Sequence, residues 1–279
     1  FGIEAKGATR WLNLGFTRFQ PSEIAKIAVP LMVSAYLSRH VIPPSIKHVV
    51  GALLIVAVPA FLILRQPDLG TSILVFASGF FVLFLAGLKK RYLVGTFFTA
   101  LAAAPLLWLY VMRDYQKQRV LTLLSPEDDK FGAGWNIIQS TTAIGSGGLS
   151  GKGWTEGTQS QLNFLPESHT DFIIAVLAEE FGLLGVLGLC ALYLLLVGYC
   201  MIIAINAQSQ FARLMAGSIS LTFFIYMFVN MSMVSGLLPV VGVPLPLISY
   251  GGSAIVTLFF GFGILMAISS EPKRIGTWR

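Results

Sequence analysis

The chain has 279 residues, of which 55% are hydrophobic and only 11% charged. Soluble domains carry about 25% charged residues, so this composition excludes an ordinary soluble domain, a disordered chain and a disulfide-rich secreted scaffold. The net charge of +6 fits basic cytoplasmic loops of a membrane protein better than a nucleic-acid partner.

Crossing a bilayer takes about 20 apolar residues in a helix. Seven segments meet or approach that length, at about 21–38, 48–64, 70–88, 92–112, 175–204, 212–234 and 246–269. The expected fold is therefore an all-α, polytopic integral membrane bundle forming a single transmembrane domain over residues 1–279. The fifth segment is overlong, roughly 50 Å at 1.5 Å per residue, and its early turns hold Glu179 and Glu180. A bend near Gly182 and Gly185 is expected there. Cys190 and Cys200 share this run and read as small apolar residues, not as a disulfide or metal pair.

Arg39, Lys47, Lys89, Lys90, Arg91, Arg213, Lys273, Arg274 and Arg279 fall in short loops or the tail on one predicted side. The positive-inside rule makes that side, and the C-terminus, cytoplasmic. Seven spans then start the chain on the outer side. With Phe1 first and no signal peptide ahead of the first apolar run, the expectation is that an N-terminal part with an odd number of spans is missing. The long segment 113–170 is then an extracytoplasmic loop. It is polar and glycine-rich, with a short apolar stretch, Trp135–Ile144, expected to form an interfacial helix.

Ionisable residues at membrane depth point to function. Gln20-Pro21-Ser22-Glu23 opens the first span, with Lys26 three residues beyond Glu23 and so on the same helix face. This pattern suits a simple helix start with a local ion pair, and equally a charged pair facing a polar cavity. Gln66-Pro67-Asp68 opens the third span in the same manner. Asp171 lies where the outer loop re-enters the membrane, after Ser168, His169 and Thr170. It reads either as part of a helix cap or as a carboxylate at a cavity mouth, able to act as a general base. Six glycines fall between Gly145 and Gly157, with Lys152 among them. Ser146 and Gly153 stand where a phosphate-binding Walker loop needs Gly and Ser or Thr, so a mobile loop is expected, with a backbone cradle for a pyrophosphate as the alternative. From Gly236 to Ser253 helix breakers crowd an apolar run. Irregular backbone at that depth must be buried in protein or line a wet cavity, which predicts a broken helix or re-entrant turn. Such a pattern serves a transporter as well as an enzyme acting on a lipid-linked substrate.

Several blocks together resemble the SEDS family of bacterial peptidoglycan glycosyltransferases (FtsW/RodA/SpoVE). They are Arg18–Ile27 (RFQPSEIAKI), Gln66–Ser72 (QPDLGTS), Gly145–Trp154 (GSGGLSGKGW), Gln159–Phe172 (QSQLNFLPESHTDF) and the stretch from Asn230 to Ser253. The likeness runs along essentially the whole chain, and the first block is closer to the RodA branch than to FtsW.

The resemblance implies a bundle of about ten helices, seven of them present here. It implies polymerisation of lipid II into β-1,4-linked glycan strands with release of undecaprenyl pyrophosphate, for cell-wall elongation and rod shape. Asp171 matches the family's essential outer-loop aspartate. Glu23, Lys26 and Asp68 match its cavity residues. Arg18, Lys26 and Lys152 are candidate cations for the pyrophosphate. A divalent cation (Mg or Mn) on Asp68 or Glu23 is the alternative, and no organic cofactor is implied. Implied partners are a class B penicillin-binding protein and other membrane proteins of the elongation complex, in the bacterial inner membrane with the active site facing the periplasm; nucleic acid is not among them. The rival readings are a flippase for lipid-linked precursors, a division-specific FtsW-type polymerase, and a scaffold for a partner enzyme.

Overall fold

A computed structural model describes residues 2–5, 8–13, 15, 18–129, 132–162, 164–165 and 167–272. The basic tail residues Lys273, Arg274 and Arg279 lie outside the described residues. Among the described residues, ten α-helices follow a small antiparallel sheet, β1 (Gly2–Ala5), β2 (Ala8–Asn13) and β3 (Arg18–Phe19), in the order β1-β2-β3. That sheet is an addition to the all-α expectation. Its residues lie ahead of the first apolar run, where helical periodicity gave no signal.

All seven expected spans are helices: α1 (Pro21–Leu37), α2 (Ile46–Arg65), α3 (Leu69–Leu85), α4 (Lys90–Leu106), and, after three helices of the segment 113–170, α8 (Ile173–Asn206), α9 (Gln210–Val234) and α10 (Gly252–Ser269). Among the described residues, five helices are long and apolar enough to cross a membrane: α2, α4 extended to Tyr110, α8, α9 and α10. Helices α1 and α3 have 17 residues each, about 25 Å at the helical rise and the short end of the spanning range. The chain is a helical, multi-pass membrane protein.

Two compact units make up the chain. The first comprises Phe1–Leu88, Leu194–Ile225 and Gly251–Arg279; the second comprises Lys89–Tyr193 and Tyr226–Tyr250.

In the first unit, Val29, Val33 and Leu37 of α1 pack with Val49, Ala52 and Val56 of α2 and with Val75, Val82 and Leu83 of α3. Lipid is as apolar as these side chains, so close packing and buried hydrogen bonds hold such helices together. Gly79 allows the approach: a Cβ there would lie 2.3 Å from a Val56 methyl. The Ser72 hydroxyl donates to Ala60 O at 2.7 Å, and that of Ser218 on α9 donates to Ser78 O at 2.7 Å. Cys200 is buried with Ala204, Ala216 and Leu265 as an apolar residue, and both cysteines are free thiols.

In the second unit, the segment 113–170 folds as α5 (Asp114–Leu124), a 3-10 turn at Pro126–Asp129, α6 (Ala133–Gly147) and the single-turn α7 (Thr158–Gln161). The expected helix at Trp135–Ile144 is therefore present, longer by a few residues at each end. The Trp135 indole donates to Phe164 O at 2.9 Å, and the Ser140 hydroxyl donates to Val234 O at 2.9 Å. Helix α8 is interrupted at Gly182, whose φ of 66° lies in the left-handed region, as its glycines predicted. Residues 235–251 are irregular, and α10 begins six residues later than the span expected from 246. Pro246 has no N–H to donate, and Leu247 takes a φ of 68°, so hydrophobicity there does not make helix.

Candidate functional site

The first cluster joins the two Gln-Pro helix starts. Pro21 occupies the first turn of α1, where its missing N–H costs nothing. In the same turn, Glu23 is 6% exposed and accepts from Lys26 Nζ at 2.5 Å. Asp68 caps α3, accepting from Thr71 N at 3.1 Å. Its other oxygen accepts from Gln20 Nε2 at 3.1 Å. Gln20, one residue before α1, thus ties one block to the other across 48 residues of sequence. Asp68 is 5% exposed. The helix-start reading, with its local ion pair and its cap, is realised in these residues. Arg18 lies in β3, and its side chain falls outside what is described.

The second cluster surrounds Asp171, half-buried two residues before α8. Three successive carbonyls lead to and include this residue, and each accepts a hydrogen bond. His169 O accepts from Tyr250 N at 2.9 Å. Thr170 O accepts from the Ser249 hydroxyl at 2.5 Å. Asp171 O accepts from Asn230 Nδ2 at 2.8 Å. Asn230 Nδ2 also donates to Val243 O at 2.7 Å. Gly242, with a φ of 72°, runs beside the carboxylate: a Cβ added there would sit 3.5 Å from Asp171 Oδ2. The irregular stretch 235–251 therefore wraps the aspartate. The Thr170 hydroxyl turns to Glu167 instead, donating to its carboxylate at 2.9 Å.

The third cluster corrects the expectation of a mobile glycine loop. Residues up to Gly147 continue α6, and the turn after it is bonded to α8. Lys152 N and Gly153 N donate to the carbonyls of Glu179 and Glu180, each at 3.0 Å, and Leu183 N donates to Gly148 O at 2.9 Å. The break at Gly182 places these backbone groups within reach of the turn. The Glu179 side chain is fully buried. It accepts from Lys152 Nζ at 2.6 Å, from the Thr158 hydroxyl at 3.1 Å and from Gln159 N at 3.1 Å. The Lys152 charge is thus matched by a carboxylate of its own chain.

Sequence reasoning did not single out Asn230, Ser249 or Glu179. An asparagine and a glutamate inside apolar helices were the available signals.

The profile of the FtsW/RodA/SpoVE family, described as a cell cycle protein, matches residues 1–274. The chain belongs to this family. Among similar proteins, the peptidoglycan glycosyltransferase MrdB of Escherichia coli K12 is 60% identical over 276 residues, covering 99% of this chain and 74% of that protein. The probable peptidoglycan glycosyltransferase FtsW of Geobacter sulfurreducens is 40% identical over 277 residues, covering 98% and 73%. A chain of a solved peptidoglycan synthase complex, studied for the coordination of polymerization and crosslinking, superposes with a TM-score of 0.82 at 31% identity, over 96% of this chain and 75% of that one. The rod shape determining protein RodA of Thermus thermophilus superposes with a TM-score of 0.66 at 28% identity, over 96% and 71%. The expected family is borne out, and the higher identity to MrdB than to FtsW chains agrees with the wording of the Arg18–Ile27 block.

Proposed function

We infer that this chain is a membrane-embedded peptidoglycan glycosyltransferase that polymerises lipid II, with Asp171 as its general base. The single observation that carries the assignment of Asp171 is its setting: a half-buried carboxylate at the start of a membrane helix, with its own carbonyl and the two before it hydrogen-bonded. The family membership supplies the class of reaction.

In this reading Asp171 takes the proton from the 4-hydroxyl of the acceptor's GlcNAc. The oxygen attacks the anomeric carbon of the donor chain's terminal MurNAc. The bond to undecaprenyl pyrophosphate breaks, its electrons leave with the pyrophosphate, and the new linkage is β-1,4 with inversion at the donor carbon. One base suffices because the pyrophosphate is already a good leaving group. A general base contributes about 10²–10⁴-fold. The charge that develops on the leaving group calls for cations; Arg18 is assigned that role, and Lys26 shares it only as the Lys26–Glu23 pair, since Glu23 already accepts from it at 2.5 Å. Lys152 is assigned to holding the outer loop, since Glu179 already matches its charge.

A divalent ion on Asp68 or Glu23 fits the donors poorly. Asp68 accepts from Gln20 and Thr71 N, Glu23 pairs with Lys26, and no cluster of three metal-ligating side chains occurs among the described residues. No step is routed through a metal.

The positive loops favour a cytoplasmic C-terminus and an active site on the outer face. The likeness to a chain of a peptidoglycan synthase complex supports a class B penicillin-binding protein as partner. The test is the full-length chain with that partner, reconstituted in vesicles with lipid II. Glycan strands are expected. Transbilayer movement of lipid II without strands would overturn the reading in favour of a flippase.

A further inference from the structure

We propose that Asn230 and Ser249 are positioning residues for the glycosyl transfer, acting through the main chain of Asp171. The proposal rests on Asp171 being the general base. Its basis is the row of hydrogen bonds on residues 169–171, in which every carbonyl of the tripeptide has a donor from α9 or the irregular stretch.

Two of those three donors are side chains, and both are almost completely buried: Asn230 is 0% exposed and Ser249 is 3% exposed. Asn230 sits in α9 between apolar residues, where a leucine would insert at lower cost. Buried polar contacts between membrane helices add little average stability, because the unassembled helices also find partners. What the asparagine supplies is direction. Its two N–H groups diverge to Asp171 O at 2.8 Å and Val243 O at 2.7 Å, which sets the aspartate's peptide against the irregular stretch. Ser249 does the same one residue earlier. Its oxygen accepts from Leu245 N at 2.7 Å, closing the local turn, while its proton goes to Thr170 O. The turn is braced in its own right, since the Tyr193 hydroxyl donates to Pro246 O. The peptide planes on both sides of the Asp171 Cα are thereby fixed, and with them the direction in which the carboxylate leaves the backbone.

A general base must lie within hydrogen-bond reach of the proton it removes, and a displacement of about 1 Å costs on the order of 10² in rate. Losing either donor removes one of the restraints on the tripeptide without removing a group assigned to the reaction, and a shift of that order is what the proposal expects. The helix breakers between residues 235 and 251 then serve a specific purpose, which is to bring Val243, Ser249 and Tyr250 back to the aspartate.

The experiment compares Asn230→Ala, Ser249→Ala and Ser249→Thr in the full-length chain with the proposed transpeptidase partner, by steady-state polymerisation of lipid II and by thermal unfolding in detergent. Asn230→Ala is expected to lower kcat at least tenfold while KM for lipid II stays within threefold. Ser249→Ala is expected to lower kcat severalfold, and Ser249→Thr, which keeps the hydroxyl, to recover most of it. A folded Asn230→Ala protein with kcat within twofold of the parent would overturn the proposal, as would a loss confined to KM. Should Asn230→Ala fail to accumulate, the Ser249 pair decides: equal kcat for the alanine and threonine variants also overturns it. Asp171→Asn is assayed in parallel. Its retention of turnover sinks the general-base reading itself, whereas an inactive Asp171→Asn beside an unaffected Asn230→Ala sinks only the positioning role.

Discussion

Replacing Lys152 with methionine strips the buried Glu179 carboxylate of its only ion-pair partner among the described residues. Glu179 is 0% exposed, whereas the Lys152 side chain retains 28%. The two halves of the pair are therefore unequal. Without Lys152, a charge stays buried with hydrogen bonds from the Thr158 hydroxyl and Gln159 N alone. Without the charge on Glu179, Lys152 still reaches water. Breaking a buried pair by removing one partner costs about 3–5 kcal/mol, and the surviving hydrogen bonds put Lys152→Met near the lower figure, about 3 kcal/mol. Glu179→Gln keeps an oxygen for Thr158 and Gln159 and should cost about 1 kcal/mol. The loss falls on the turn from Gly148 to Gln159, which opens as a local unit. At 1.36 kcal/mol per factor of ten, amide hydrogen exchange at Lys152, Gly153 and Gln159 should accelerate about 10²-fold in Lys152→Met and about fivefold in Glu179→Gln. Hydrogen exchange read by mass spectrometry on the purified protein in detergent measures both. Exchange in Lys152→Met within threefold of the parent would refute this role of the Lys152–Glu179 pair, and so would a larger effect from Glu179→Gln than from Lys152→Met.

Gly182→Ala forces a Cβ to within 2.3 Å of Gly151 N at a φ of 66°; strain and clash together should cost at least about 2 kcal/mol, seen as a lowered thermal unfolding midpoint. Gly79→Ala drives a methyl into Val56 and Val29 and should cost about 1–3 kcal/mol, read by the same unfolding assay. Asp68→Ala removes the cap on α3 and the bond from Gln20, for a loss of about 1 kcal/mol. Asp68→Asn retains a capping oxygen, so it should keep stability within about 0.5 kcal/mol of the parent while lowering lipid II turnover; unchanged turnover would confine Asp68 to its structural role.

Periodicity and hydrophobic length located seven apolar helices, five of them long and apolar enough to cross a membrane, and the glycines at 182 and 185 foretold the break in α8. The Gln-Pro starts at residues 20 and 66 were legible as two similar helix openings; that they meet is shown by the Gln20–Asp68 contact. Spacing along the chain failed where partners are distant in sequence. Glycine content between 145 and 157 suggested mobility because composition registers the absence of side chains, not the backbone bonds that Gly148 makes to Leu183, Lys152 to Glu179 and Gly153 to Glu180. Lys152 looked available to a substrate because its partner lies 27 residues away. Asn230 is 59 residues from Asp171, and nothing local to either sequence segment marks the pair. The small sheet before α1 was missed because its strands fall ahead of the apolar periodicity that guided the reading.

The central claim is that Asp171 removes the proton of the attacking hydroxyl. It is tested most directly by Asp171→Asn in the full-length protein with the proposed transpeptidase partner, assayed for polymerisation of lipid II. The amide preserves size and the main-chain bonds from Asn230, so the variant should fold and unfold like the parent. It should also lose turnover by about 10²–10⁴-fold, the usual contribution of a positioned base. A folded Asp171→Asn protein that makes glycan strands at near-parental rate would contradict the account.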